Sequence, residues 1–305
     1  MCPHFARKWD VSPFCIKGMD ILSQRAFQAI NGFVWGLIIA LSALGLTLVF
    51  GLLEVINVSH GALYMLGAVF AWYMERFFGN FWIGLALAPL LVGIIGLIIE
   101  RGVLRPIEDK PAMTIIATFG LMLIFHQAVL ATFGGAPQRM REPIQFGFSI
   151  FGFGYPGYRL IVAAFSVAAM AGLWAFLYKT KFGLWMRAVR QDREMALAMG
   201  IPMNFVYMMT FGLGSFLAAL GGVLAAPIVV VDFKMGLDIL IITFIVVIIG
   251  GLGSLLGSVV AAILIGELEG IASVFVSPTN ARVLSLVFMV IVLLIRPHGL
   301  FGRKA

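Results

Sequence analysis

Long apolar stretches alternate with short polar ones along almost the whole chain. They run at 29–52, 61–78, 82–100, 112–133, 159–178, 205–230, 239–268 and 281–296. Each is too long for a strand and lacks the alternation of period two, so each predicts a helix. Most approach the roughly 20 residues that cross a hydrocarbon core. Backbone in lipid must satisfy its own hydrogen bonds, which selects helices over open strands. The predicted fold class is therefore all-α: a polytopic transmembrane helix bundle of about eight apolar segments, two of them broken or re-entrant.

One break is Gly250-Gly251-Leu252-Gly253-Ser254, inside 239–268; the other is the stretch from Gly51 to Gly61, inside 37–78. They fall in opposite halves of the chain, and paired interruptions of this kind point to a transporter binding site. Small residues recur at close-packing spacing, as in Gly32-x-x-x-Gly36 and Gly253-x-x-x-Gly257, which suits helix-on-helix contact in a bundle.

The polar loops set the orientation. Residues 179–203 carry Lys179, Lys181, Arg187, Arg190 and Arg193, and basic loops stay in the cytoplasm. The 101–111 loop, with Arg101, Arg105 and Lys110, and the C-terminus, with Arg296, Arg303 and Lys304, read the same way. The 134–158 loop then lies outside. Strict alternation of eight crossings would put the 179–203 loop and the C-terminus on opposite faces; counting one broken segment as two passes, or as a re-entrant piece, removes that conflict. Within 179–203, Leu184 to Met199 predicts a short helix, with Gly200 as a left-handed cap and Pro202 as a stop. Trp185, Val189, Ala196 and Met199 share one side, and Arg187, Arg190, Asp192, Arg193 and Glu194 supply charge. Two readings stand: a helix resting on lipid headgroups, or one docking into a groove of a soluble partner.

Composition removes the soluble classes. The 305 residues are 62% hydrophobic and 11% charged, against about 25% charge in a soluble domain. Membrane lipid is the missing solvent. The net charge of +7 fits cytoplasmic loops better than a nucleic-acid partner. Residues 1–18 lack the apolar core of a signal peptide, and Met19 is an alternative start. Cys2 and Cys15 fall in this stretch and read as incidental thiols. The domain reading is a polar stretch at 1–28, a transmembrane domain at 29–298 containing the 179–203 loop, and a tail at 299–305.

Polar groups at membrane depth are costly and tend to be functional. Asn57, Ser59 and His60 lead the candidates, together with the helix N-termini that follow His60 and Ser254, where backbone N–H groups favour an anion. The alternative is that Asn57 and His60 only cap and satisfy broken backbone. Glu54 is either a site acid or gate, or the mark of a wet turn. Glu100 reads as a membrane-boundary residue, Glu267 and Glu269 as a wet helix end, and His126 and Gln127 as interhelical hydrogen-bonders. His60 has no second ligand nearby, so no metal site is expected. No nucleophile–base set or carboxylate pair suggests an enzyme, and no Gly-x-x-x-x-Gly-Lys-Ser/Thr phosphate loop is present.

The runs Gly45-Leu-Thr-Leu-Val-Phe-Gly51, Ile56-Asn57-Val58-Ser59-His60-Gly61 and Tyr64-Met65-Leu66-Gly67-Ala68 resemble the first-half signature of LivH-type permeases of branched-chain amino-acid ABC importers. Arg187-Ala188 through Gln191-Asp192 to Met195-Ala196 and Gly200-Ile201, then Gly250 to Ser254 with Gly257, resemble the second half, and Arg296 to Gly302 the ending. The resemblance runs from about residue 25 to the end. It implies a permease in the bacterial inner membrane carrying branched-chain or other hydrophobic amino acids. The implied partners are a sister permease, two cytoplasmic ATPase subunits that use ATP, and a periplasmic substrate-binding protein; the chain itself binds no cofactor. The pathway would include Glu54, Asn57, Ser59, His60, Gly61, Gly253 and Ser254, and the coupling helix Arg187, Arg190, Asp192, Arg193, Glu194 and Gly200. An ion-coupled carrier or channel for urea or an amide is the competing function.

Overall fold

The computed structural model describes residues 21–107, 110–144, 146–150 and 153–302. Eleven helices follow one another among them: α1 (Ile21–Leu53), α2 (His60–Phe78), α3 (Phe81–Ile99), α4 (Pro111–Phe133), α5 (Gly157–Lys179), α6 (Lys181–Gln191), α7 (Arg193–Ala198), α8 (Met203–Ala225), α9 (Met235–Gly250), α10 (Leu255–Ala272) and α11 (Pro278–Ile295). Six helical spans are long and apolar enough to cross a membrane, in α1, α3, α4, α5, α8 and α10; α9 and Asn280–Ile295 are shorter apolar helices. The Gly- and Phe-rich 134–158 loop contains two short antiparallel strands, β1 (Gly147–Ile150) and β2 (Phe153–Pro156), which the helical pattern did not foretell.

Helices α1 and α8 form the centre. The apolar window of each is 78% buried within the chain, against 22% for α4 and α5. The peripheral helices leave large apolar side chains such as Ile116 and Leu294 uncovered, which lipid or other subunits must cover. Helix α1 runs antiparallel to α10 at backbone contact. A Cβ added at Gly32 would stand 3.2 Å from Glu267 Cα, and one at Gly36 3.0 Å from Ile263 Cα. The Gly32-x-x-x-Gly36 pattern is thus a packing face. The glycines of Gly253-x-x-x-Gly257 also serve close packing, with two different partners: Gly253 (φ +80°), in the turn before α10, lies against Gly51 of α1, and Gly257 packs on Gly250 of α9.

The second break is a sharp turn between α9 and α10. Gly251 (φ +97°) and Gly253 adopt left-handed backbone that a side chain would disfavour. Ser254 Oγ accepts from the Gly257 N–H at 3.2 Å and starts α10. The C-terminal stretch closes this end: Leu300 N–H donates to Ile249 O at 2.7 Å and Phe301 N–H to Gly250 O at 3.2 Å. Gly51, near the end of α1, lies against Gly253, and Arg190 lies beside both. At the other end, Gln138 and Val231 exchange backbone hydrogen bonds at 2.9 Å, and Tyr158 Oη donates to Leu224 O at 2.9 Å. The 179–203 loop and the C-terminus therefore share one end and the 134–158 loop takes the other. Splitting 239–268 into two helices removes the orientation conflict.

The helix expected over Leu184–Met199 begins earlier, at Lys181, and is broken. It is two helices, because Asp192 adopts extended backbone (φ −157°) and its Oδ1 accepts from the Met195 N–H at 2.9 Å, capping α7. A side chain that satisfies an orphan N–H competes with helix continuation. Val189 and Ala196 are buried as expected, whereas the break turns Met199 outward to 76% exposure. Gly200 (φ +77°) ends α7, with Ile201 N–H on Ala196 O at 3.1 Å.

Candidate functional site

Helix α1 ends where Glu54 turns left-handed (φ +55°), its N–H still on Phe50 O at 3.0 Å. Glu54 is exposed at this bend. The chain then folds back into the bundle. His60 Nε2 reaches the Ser42 carbonyl at 2.9 Å, and Ser42 precedes Leu53 by a stretch of α1 about 16 Å long. Residues 54–59 thus form a re-entrant climb, held to α4 by Thr118. Its Oγ1 accepts from the Val58 N–H at 3.3 Å, and its own hydrogen is shared between Ile115 O (3.0 Å) and Ile56 O (3.4 Å).

At the top of the climb the polar groups are fully enclosed. Asn57, Ser59 and His60 have no exposed surface. Asn57 Oδ1 accepts from Ser59 N–H (3.1 Å) and Ser59 Oγ–H (2.7 Å), so the serine hydroxyl stabilises the bend rather than capping α2. A carbonyl only accepts, so His60 donates from Nε2 and leaves Nδ1 as a bare acceptor. Neither His60 Nδ1 nor Asn57 Nδ2 has a partner among the described residues. Buried polar groups are rarely left unpaired. One unpaired donor and one unpaired acceptor are therefore buried three residues apart around the N-terminus of α2. Gly61 has a packing task, since a Cβ there would press on the Gly236 backbone and stand 2.8 Å from Leu240 Cβ.

Gly253 and Ser254 lie elsewhere. Gly253 joins Thr47, Gly51, Tyr178, Arg187 and Arg190 around a cavity of about 70 Å³ at the basic end. The predicted pathway residues thus fall into two places, one enclosed and one at the basic end. Hydroxyls that the sequence reading passed over lie between them: Thr243 Oγ1 donates to Ser42 Oγ at 3.3 Å, and Thr47 and Ser258 pair at 2.6 Å. A Thr or Ser in an apolar run is indistinguishable from one that bonds its own helix, so no sequence signal marked them. Removing the Thr47–Ser258 pair, by Thr47→Val with Ser258→Ala, is expected to show a coupling of about 0.6 kcal/mol in a double-mutant cycle of detergent unfolding. A coupling above about 2 kcal/mol would mean that the pair is more than ordinary interhelical glue.

Of the expected coupling residues, Arg187 stacks over Tyr178 (4.7 Å to the ring centroid), Arg193 over Tyr207 (5.5 Å), and Asp192 caps α7. Glu194 is exposed, and Gly200 closes α7. Glu100, expected at a boundary, is buried where α3 widens into a π turn at Glu100–Leu104. Glu269 accepts from Ser285 Oγ at 3.1 Å, which ties α10 to α11 instead of leaving a wet helix end. No cluster of metal-ligating side chains occurs among the described residues.

Central helices, a re-entrant polar bend and lipid-sized apolar spans define a multi-pass membrane protein of the transporter class. Comparison carries this further. The chain belongs to the family described as "Branched-chain amino acid transport system / permease component", which matches residues 28–293. The high-affinity branched-chain amino acid transport system permease protein LivH of Escherichia coli K12 is 28% identical over 292 residues, 90% of this chain and 95% of that protein. BraD of Pseudomonas aeruginosa is 27% identical over 294 residues, with the same coverage. A probable LivH of Methanocaldococcus jannaschii is 27% identical over 289 residues, 89% of this chain and 91% of that protein. A solved structure of PsaBC from Streptococcus pneumoniae in complex with Fab superposes with a TM-score of 0.47 at 18% identity, over 93% of this chain and 94% of that chain.

Proposed function

We propose that this chain is the permease subunit of an ATP-driven importer in the bacterial inner membrane, and that it takes up branched-chain or other hydrophobic amino acids. A periplasmic binding protein delivers the substrate, a sister permease completes the pore, and two cytoplasmic ATPases drive it. The observation that carries this reading is the α6–α7 pair at the basic end. It exposes Leu184, Met195, Leu197 and Met199 beside charged residues, outside the apolar spans. A chain without a phosphate-binding loop needs an external motor, and these side chains fit a groove of one. Family membership favours this reading over an ion-coupled carrier or channel.

In the enclosed site, Asn57 Nδ2 donates to the substrate carboxylate with support from the Gly61 and Ala62 N–H groups of the first turn of α2, and His60 Nδ1 accepts from the ammonium. The apolar walls take the aliphatic side chain. Asn57→Ala with His60→Ala is expected to reduce uptake of labelled leucine at least tenfold, since two hydrogen bonds at about 1 kcal/mol each are lost. Asn57 Oδ1 and His60 Nε2 also hold the bend, so folded yield falls too, and the tenfold loss is the one that remains when uptake is read per folded chain. Equal losses of uptake and of folded protein would instead assign both residues to satisfying the bend. The class itself is tested by purifying the tagged chain in mild detergent. Recovery of an ATPase and a second permease is expected, whereas a chain that moves solute in liposomes without ATP would overturn the proposal.

A further inference from the structure

The geometry points to a headgroup site for an anionic phospholipid at the basic end, in the cavity between the ends of α1, α5 and α6 and the start of α10. Arg187 and Arg190 both line this cavity of about 70 Å³. Arg190 makes no hydrogen bond or ion pair among the described residues, although its guanidinium lies against Gly51 and Gly253. Arg187 spends one weak bond, Nε–H to Gly183 O at 3.4 Å, and is otherwise held by the Tyr178 ring. The nearest carboxylate in sequence, Asp192, is committed to capping α7. The cavity thus presents two guanidinium groups and no anion of the chain's own. Leu255, the first residue of α10, also lines it, so the partial positive charge of that helix end adds to the same field.

The surroundings select a lipid over a soluble anion. Tyr178 stacks with Trp174 at 5.4 Å, and both rings are more than half exposed on the outer face of α5. Exposed Trp and Tyr at a helix end mark the headgroup level of a bilayer. Val167, 51% exposed, continues the same face toward the membrane interior and gives an acyl chain its track. Exposed Lys179 and Lys181 flank the site. Basic pockets between transmembrane helices on the cytoplasmic side are suited to phosphate headgroups. The site shares Arg187 and Arg190 with the expected coupling helix, but lipid retention by the chain alone needs no ATPase, so its test is read apart from the coupling proposal.

Native mass spectrometry of the full chain in mild detergent, titrated with equal phosphatidylglycerol and phosphatidylcholine, tests this. Phosphatidylglycerol should be retained preferentially. Arg187→Gln with Arg190→Gln should weaken its retention roughly 25-fold, the fivefold expected per basic side chain at an anionic surface taken twice. Arg187→Lys with Arg190→Lys should keep most of it, and Arg101→Gln with Arg105→Gln, elsewhere at the same end, should leave it unchanged. Equal retention of both lipids by the unaltered chain, or equal losses in the two Gln pairs, would overturn the site. Protection of the chain's melting temperature by inorganic phosphate but not by phosphatidylglycerol would overturn the lipid assignment in favour of a soluble anion.

Discussion

A Gly222→Val chain is expected not to accumulate as a folded protein. Helices α2 and α8 meet backbone to backbone here: a Cβ on Gly222 would run into the Tyr64 carbonyl oxygen and stand 3.3 Å from the Ala68 nitrogen, and one on Gly67 would stand 2.6 Å from Ala219 Cα. Ordinary overpacking costs about 1–3 kcal/mol because a side-chain tip can yield. The atoms struck here are backbone in two central helices, so relief requires moving a helix, and the cost should exceed that range. Gly172→Ala is the control, since a Cβ there meets nothing within 4 Å. Fluorescence-detected size exclusion of tagged chains reads the difference: Gly172→Ala should give the native peak and Gly222→Val none. A native peak of normal height for Gly222→Val would show that the α2–α8 contact is looser than described.

The second large effect concerns energy transfer. Leu197→Asp together with Met199→Asp should abolish ATP-driven uptake while leaving a folded, membrane-inserted chain. Both side chains are exposed, at 52% and 76%, so the substitutions cost the isolated chain little. A charge placed in a docking anchor costs at least about 2 kcal/mol, roughly 30-fold per residue. Co-purification of the ATPase and uptake should fall together, as measured on the same preparation. Full uptake in the double variant would remove α7 from the coupling surface.

Much of the architecture was legible in the sequence because lipid permits few solutions. The apolar spans and both breaks were visible, and so was the left-handed stop at Gly200. The Asp192 break was not, since an aspartate in a charged run can sit on a helix surface or cap the next helix, and only the backbone decides. Asn57, Ser59 and His60 stood out as polar groups in an apolar context, but the free atoms could not be read. Which oxygen Ser59 reaches, and which ring nitrogen Ser42 takes, depend on a fold-back onto a residue far earlier in the chain. For the same reason Gly253 looked like a companion of Asn57, while the fold sets it beside Arg190.

The pairing of α1 bears on how the chain is made. Its most extensive partners are α10 and α8, helices synthesised much later, whereas its contact with α10 brings together residues such as Thr47 and Ser258. Helix α1 is apolar enough to enter the bilayer as soon as it leaves the ribosome. It must then wait there, its small-residue face bare and its hydroxyls turned back on its own carbonyls, until the second half of the chain is translated. Insertion and assembly are thereby separated in time. During that interval the bare face is available to other newly made helices, and a membrane chaperone that shields it would raise the yield of folded protein.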